Sequence, residues 1–139
     1  MEEPASEKLV TILADHNVEG QADVLWGVLL SGGWLEISPA RLVRFADVGL
    51  SDNATDRAVW RFAQTSKMLL LTGNRRMKGD DSLEQTIRDE NHVAALPVVT
   101  IARVERLIEP DYRERCAVRL LDIASEIDRY RGVGRLFIP

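Results

Sequence analysis

Residues 9–17 read LVTILADHN, a short apolar run rich in β-branched side chains that stops abruptly on Asp15-His16-Asn17. An apolar run of this length without polar alternation predicts a strand buried on both faces, as in the middle of a parallel sheet. Open α/β sheets place their chemistry in the crevice beyond the carboxyl ends of such strands. Asp15 therefore stands where a functional carboxylate would stand. An Asp just before a helix is also an ordinary N-cap, and the first strand alone does not choose between the two.

The rest of the chain repeats the theme. Met68–Thr72, MLLLT, and Leu96–Ile101, LPVVTI, are two more apolar runs, the first ending on Gly73-Asn74 and the second with Pro97 near its start. Between them the spacing turns helical. Val18, Ala22, Leu25, Trp26, Leu29 and Leu30 share one face of a predicted helix over 18–30, stopped by Gly32-Gly33. Leu42–Phe45 predicts a second strand, Ser51-Asp52-Asn53 a turn, and 54–66 a second helix with Ala58, Val59, Phe62 and Ala63 inward. Asp81–Gln85 opens a third helix after a basic loop over Arg75–Gly79, and Ser82 and Gln85 have the spacing of a capping box.

From Glu105 the pattern is helical and broken at Pro110. Ala117, Leu120, Leu121, Ala124, Ile127 and Tyr130 then form a stripe on a C-terminal helix over about 111–131. That helix is expected to pack on the sheet or on a second copy of the chain. With Arg135–Pro139 as an edge strand or dimer contact, the pattern predicts a homodimer. Strand–helix alternation predicts a three-layer α/β/α sandwich with a mostly parallel central sheet, a single domain over 1–139.

Composition narrows the function classes. The net charge of −4 argues against a surface coated in cations for nonspecific nucleic-acid binding, yet 15 of the 18 cations are Arg, which matches phosphate and carboxylate bidentately. No run approaches 18 apolar residues, so no membrane span is expected. The opening MEEPASEK is unlike a secretory signal, so a cytoplasmic location is expected. The one cysteine, Cys116, reads as a packed thiol.

Asp15 after the first strand, Asp56 in the first turn of the second helix and Asn74 after the MLLLT strand converge on one sheet edge, with Asp80, Asp81 and Glu84 following. Oxygen-rich clusters with few His and no partner Cys suit Mg²⁺ or Mn²⁺. Such ions make a hydroxide nucleophile and stabilise the leaving oxygen of a phosphodiester. Arg75, Arg76 and Lys78 are placed to hold substrate phosphates. His16 reads either as a substrate contact or general base, or as a hydrogen-bonded structural histidine. The bland readings stand beside these: Asp56 complementing a helix dipole, Asn74 in a left-handed turn, Asp81 as a cap. His92 reads as solvated, and Trp26, Trp34 and Trp60 as packing residues rather than stacking platforms.

The order ILADHN … TDRAVWRFA … MLLLTGNRR resembles the PIN-like nuclease superfamily, nearest its compact branch, over about residues 11–101. The resemblance places the family's strand-end Asp at Asp15 and the acid opening its later helix at Asp56. The place of a further acid, after the LLT strand, falls to Asn74. It implies Mg²⁺ or Mn²⁺ binding, RNA hydrolysis as in toxin–antitoxin ribonucleases, and an antitoxin-like protein partner. The resemblance thus implies Asp15, Asp56 and Asn74 as catalytic positions. From their place just after the strand, Asp80, Asp81 or Glu84 could restore the missing charge, so the expected catalytic set is Asp15, Asp56, Asn74 and Asp81, with metal ligands from Asp15, Asp56, Asp80, Asp81 and Glu84. The sequence departs from the pattern at Asn74, where the family carries Asp. It departs again before Gly49, where beyond the first helix only Glu36 and Asp47 are acidic. Asn74 favours the alternative, a PIN-like module that binds RNA or a protein without catalysis. A phospho-receiver would need an Asp after MLLLT and a Lys after VVTI, and has neither. A dinucleotide fold would need Gly132-x-Gly134 after a strand.

Overall fold

In the first strand Leu13 points to one side while Ile12 and Ala14 point to the other, and all three are buried. Leu70 against Leu69 and Leu71 repeats the pattern, which is why both segments read as unbroken apolar runs. The computed structural model, which describes residues 9–73 and 79–139, joins them in a five-stranded, all-parallel sheet. The strands are β1 Val10–Ala14, β2 Ala40–Val43, β3 Met68–Thr72, β4 Val98–Ile101 and β5 Arg135–Ile138, in the order β2-β1-β3-β4-β5.

Six helices are found among the described residues: α1 Glu19–Ser31, α2 Trp34–Ile37, α3 Phe45–Val48, α4 Asp56–Thr65, α5 Leu83–Glu90 and α6 Pro110–Ser125. Ala22, Leu25 and Leu29 of α1 and Cys116, Ala117, Leu120 and Leu121 of α6 cover one face of the sheet. Phe45 of α3, Val59, Trp60 and Ala63 of α4 and Leu83 of α5 cover the other. The architecture is the expected three-layer α/β sandwich. No helix among the described residues is long and apolar enough to cross a membrane.

Several boundaries differ from the sequence reading. Phe45 does not extend a strand; β2 ends at Val43 and Phe45 opens α3, where its ring is buried on the α4 side. The second helix starts at Asp56, capped by Thr55, whose hydroxyl accepts the Ala58 amide at 3.1 Å. Pro110 does not break the C-terminal helix but begins it, because a first-turn proline loses no intrahelical hydrogen bond. That helix ends at Ser125, and a 3₁₀ turn over Ile127–Tyr130 carries the rest of the stripe. The stripe is spent on the sheet: Ala117, Leu120 and Ala124 are buried against it. Arg135–Ile138 becomes the edge strand. Ser82 accepts the Gln85 amide at 3.1 Å, but the Gln85 side chain turns to Asp89 at 2.8 Å instead of completing a capping box.

The faces also settle a point of chirality. β1-α1-β2 steps one way across the sheet over the α1 face, and β3-α5-β4 steps the opposite way over the opposite face, so the two share one hand. β4-α6-β5 continues in the direction of β3-α5-β4 but passes over the α1 face. It has the other hand, so at least one crossover runs against the right-handed preference of parallel connections. One consequence is that β5 has no crossover helix of its own on the α5 side.

Candidate carboxylate site

The chain leaves β1 toward β2 on one side and returns to β3 on the other, so the carboxyl ends of β1 and β3 form the switch point of the sheet. Sheets of this kind open a crevice there. Asp15 stands at its rim. The Asp15 amide donates to the Leu71 carbonyl at 2.9 Å, continuing the β1–β3 ladder by one residue and aiming the side chain over the end of β3. Thr72, wholly buried, donates its hydroxyl to Asp15 Oδ2 at 2.7 Å. Gly73 follows because nothing larger fits: an added Cβ would lie 2.8 Å from Val104 Cγ2 and 3.0 Å from Val18 Cγ1.

The Asp15 carboxyl is held above the usual carboxylate range. Burial is the main cause; the Thr72 hydroxyl opposes it, and the charge of Asp56 adds to it. Asp56 reaches the same crevice from the first turn of α4, and its Oδ2 accepts the Leu83 amide, the first of α5, at 3.0 Å. Two helices thus meet at Asp56. They are tied together by Arg57, whose guanidinium binds Asp81 at 3.1 Å, Asp89 at 2.9 Å, the Asp80 carbonyl at 2.6 Å, and Glu90. Arg61 adds 2.8 Å contacts to both Glu90 oxygens. Between Arg61 and Arg57 the Glu90 carboxyl falls to about 2.

Of the acids singled out from the sequence, Asp15 and Asp56 are brought into electrostatic contact. Asp81 is drawn to Arg57, and Glu84 stands 3.6 Å from Arg88 and 3.5 Å from Arg135, so each has a counter-charge. Asp80 contributes its backbone carbonyl to Arg57 and its residue is exposed. His16 turns toward Asp52 at 3.3 Å and Glu19 at 3.5 Å and tilts its ring over Phe45. Asn74, Arg75, Arg76 and Lys78 lie outside the described residues. Among the described residues, no group of three or more His, Cys, Asp or Glu is arranged to hold a metal ion.

The donor set still fits Mg²⁺ or Mn²⁺ better than a softer ion. Two carboxylates facing one crevice, one of them half-buried with its charge resisted, offer hard oxygens, and Mg²⁺ keeps most of its waters and takes only one or two carboxylates from a protein. The sequence reading missed Thr72, Thr100 and Arg135. With Asp15 they form a polar row on the α4–α5 face: Thr72 pairs with Thr100 in the β3–β4 register, and the Thr100 hydroxyl accepts Arg135 Nη1 at 2.7 Å. The one available signal is that Thr72 closes the apolar run MLLLT and Thr100 interrupts the run VVTI one residue before its end. Compared with protein-family models, curated proteins and solved structures, the chain matches none. Fold and site together define a parallel α/β sandwich with a paired-carboxylate crevice at its switch point.

Proposed function

We propose that the chain is a Mg²⁺- or Mn²⁺-dependent ribonuclease of the PIN-like type, with Asp15 and Asp56 as its working carboxylates. The supporting observation is the position of Asp15, half-buried at the switch point, fixed by Thr72 and repelled by a second carboxylate. A pair of like charges kept so close is a poor structural device and a good cation seat. Asp15 and Asp56 would hold the ion, which when bound would supply a hydroxide nucleophile and charge stabilisation at the phosphodiester. Thr72 orients one carboxylate and the Leu83 amide the other, so both are set before the ion arrives. Arg75, Arg76 and Lys78 remain the residues proposed to meet the phosphates.

The test is cleavage of single-stranded RNA with Mn²⁺ by the wild type and by Asp15→Asn. The wild type should cleave and the variant should not, while the melting temperature of the variant in metal-free buffer stays equal or rises, because one of two opposed charges is gone. The binding-module reading draws on Asp81 and Glu84, which already have arginine partners. Absence of cleavage by the wild type, together with a variant less stable by the ~1 kcal/mol of a lost cap, would establish that reading instead.

A further inference from the structure

Arg135 is the least exposed arginine among the ion pairs of the described residues, with 11% of its side chain accessible. It starts an edge strand, opposite Val98 of β4, on the face that α5 covers. Its guanidinium reaches along that face to the carboxyl end of the sheet. There Nη1 meets the Thr100 hydroxyl at 2.7 Å and Nη2 lies 3.5 Å from Glu84 Oε1. A largely buried guanidinium is an expensive way to anchor an edge strand, since apolar residues of similar volume do so at equal or lower cost. What an apolar residue cannot do is hold Thr100 and Glu84 in one fixed relation.

Those two contacts lead to the two carboxylates. Thr100 faces Thr72, the donor to Asp15, in adjacent strands roughly 4.8 Å apart. Glu84 follows Leu83, the residue whose amide binds Asp56. Thr72, Ser82, Thr86 and Thr100 are the buried polar residues of the described structure. Thr72 and Thr100 end their strands on this face, and Ser82 and Thr86 bracket the first turn of α5. We infer that Arg135 is a positioning residue for the carboxylate site, setting the first turn of α5 against the ends of β3 and β4 so that Leu83 presents its amide to Asp56 and Asp56 faces Asp15. This rests on the reading of Asp15 and Asp56 as the site, but its geometry is testable without activity.

The experiment is residue-resolved amide hydrogen exchange on the full chain, wild type against Arg135→Met, with Arg135→Lys as the conservative variant. The expected result is at least tenfold faster exchange at Leu83 in Arg135→Met. The Val98 and Ala102 amides, which bond to the Gly134 and Ile138 carbonyls, should be unchanged, and Arg135→Lys should recover part of the Leu83 protection. Loss of protection at Val98 and Ala102 equal to or greater than that at Leu83 would show a mere strand anchor and overturn the inference. So would an unchanged Leu83. If Arg135→Met does not fold, the same comparison is made on Arg135→Lys, with a smaller acceleration expected at Leu83 alone. Where the wild type cleaves RNA, kcat of the Met variant should fall about tenfold at unchanged KM. A wild type that neither binds Mn²⁺ nor cleaves overturns the ribonuclease reading, while the Leu83 result still decides the role of Arg135.

Discussion

Replacing Thr72 by Val removes one hydrogen bond and almost no volume. The hydroxyl is wholly buried and donates to Asp15 Oδ2 at 2.7 Å, a bond to a charged acceptor worth about 1.5–3 kcal/mol. The methyl that replaces it recovers up to about 0.8 kcal/mol of apolar transfer. The net loss near neutral pH is then about 1–2 kcal/mol. It should depend on pH, and the sign follows from the direction of the Asp15 shift. Asp15 ionises above its ordinary 3.8 in the folded chain, so its protonated form contributes stability that is lost as pH rises through that raised value. The Thr72 bond offsets part of that loss because it favours the ionised form. Thr72→Val should therefore destabilise fully at pH 7 and much less at pH 3, below the ordinary aspartate value, where a carboxyl raised above 3.8 is mostly protonated and the bond is neutral. Urea denaturation of both proteins at the two pH values, read as midpoint shifts at constant m, gives the difference. Equal losses at pH 7 and pH 3, or no loss at pH 7, would refute the claim that this hydroxyl serves the carboxylate.

Glu90→Gln should flatten the acid side of the stability profile. The wild-type Glu90 carboxyl is lowered from 4.5 to about 2 by Arg61 and Arg57, so its contribution is present above pH 4.5 and is lost as pH falls toward 2. Thermal melts across that window should show a smaller decline in the variant, and an identical decline would mean that the pairs do not persist in solution. Gly73→Ala should cost about 1–3 kcal/mol by overpacking against Val18 and Val104, read as a lower melting temperature. A neutral result would show that these valines yield freely. Asp15→Asn, by contrast, should hold or raise stability in metal-free buffer while abolishing Mn²⁺-dependent cleavage of RNA.

The strands VTILA, MLLLT and VVTI were legible in the sequence because burial on both faces leaves no room for polar alternation, a constraint each segment carries by itself. The place of Asp15 at a strand end was legible for the same local reason, whereas α4 begins at Asp56, two residues later than the pattern predicts, because Thr55 caps it. Local pattern failed where one residue type serves two geometries. Pro110 reads alike as a helix break and a helix start, and Phe45 packs equally well from a strand or from the first turn of α3. What only the tertiary structure decided depends on register and on which arginine meets which acid. Thr72 and Thr100 become neighbours through the β3–β4 pairing, and Arg135 joins them because β5 lies against β4 while its crossover helix α6 covers the opposite face. Asp81 and Glu84, adjacent to the site in sequence, are instead held by Arg57 and Arg135, since a guanidinium held between packed elements takes whichever carboxylates the packing brings to it. Hydrophobic periodicity is written residue by residue, whereas counter-charges are assigned only after distant segments have been brought together.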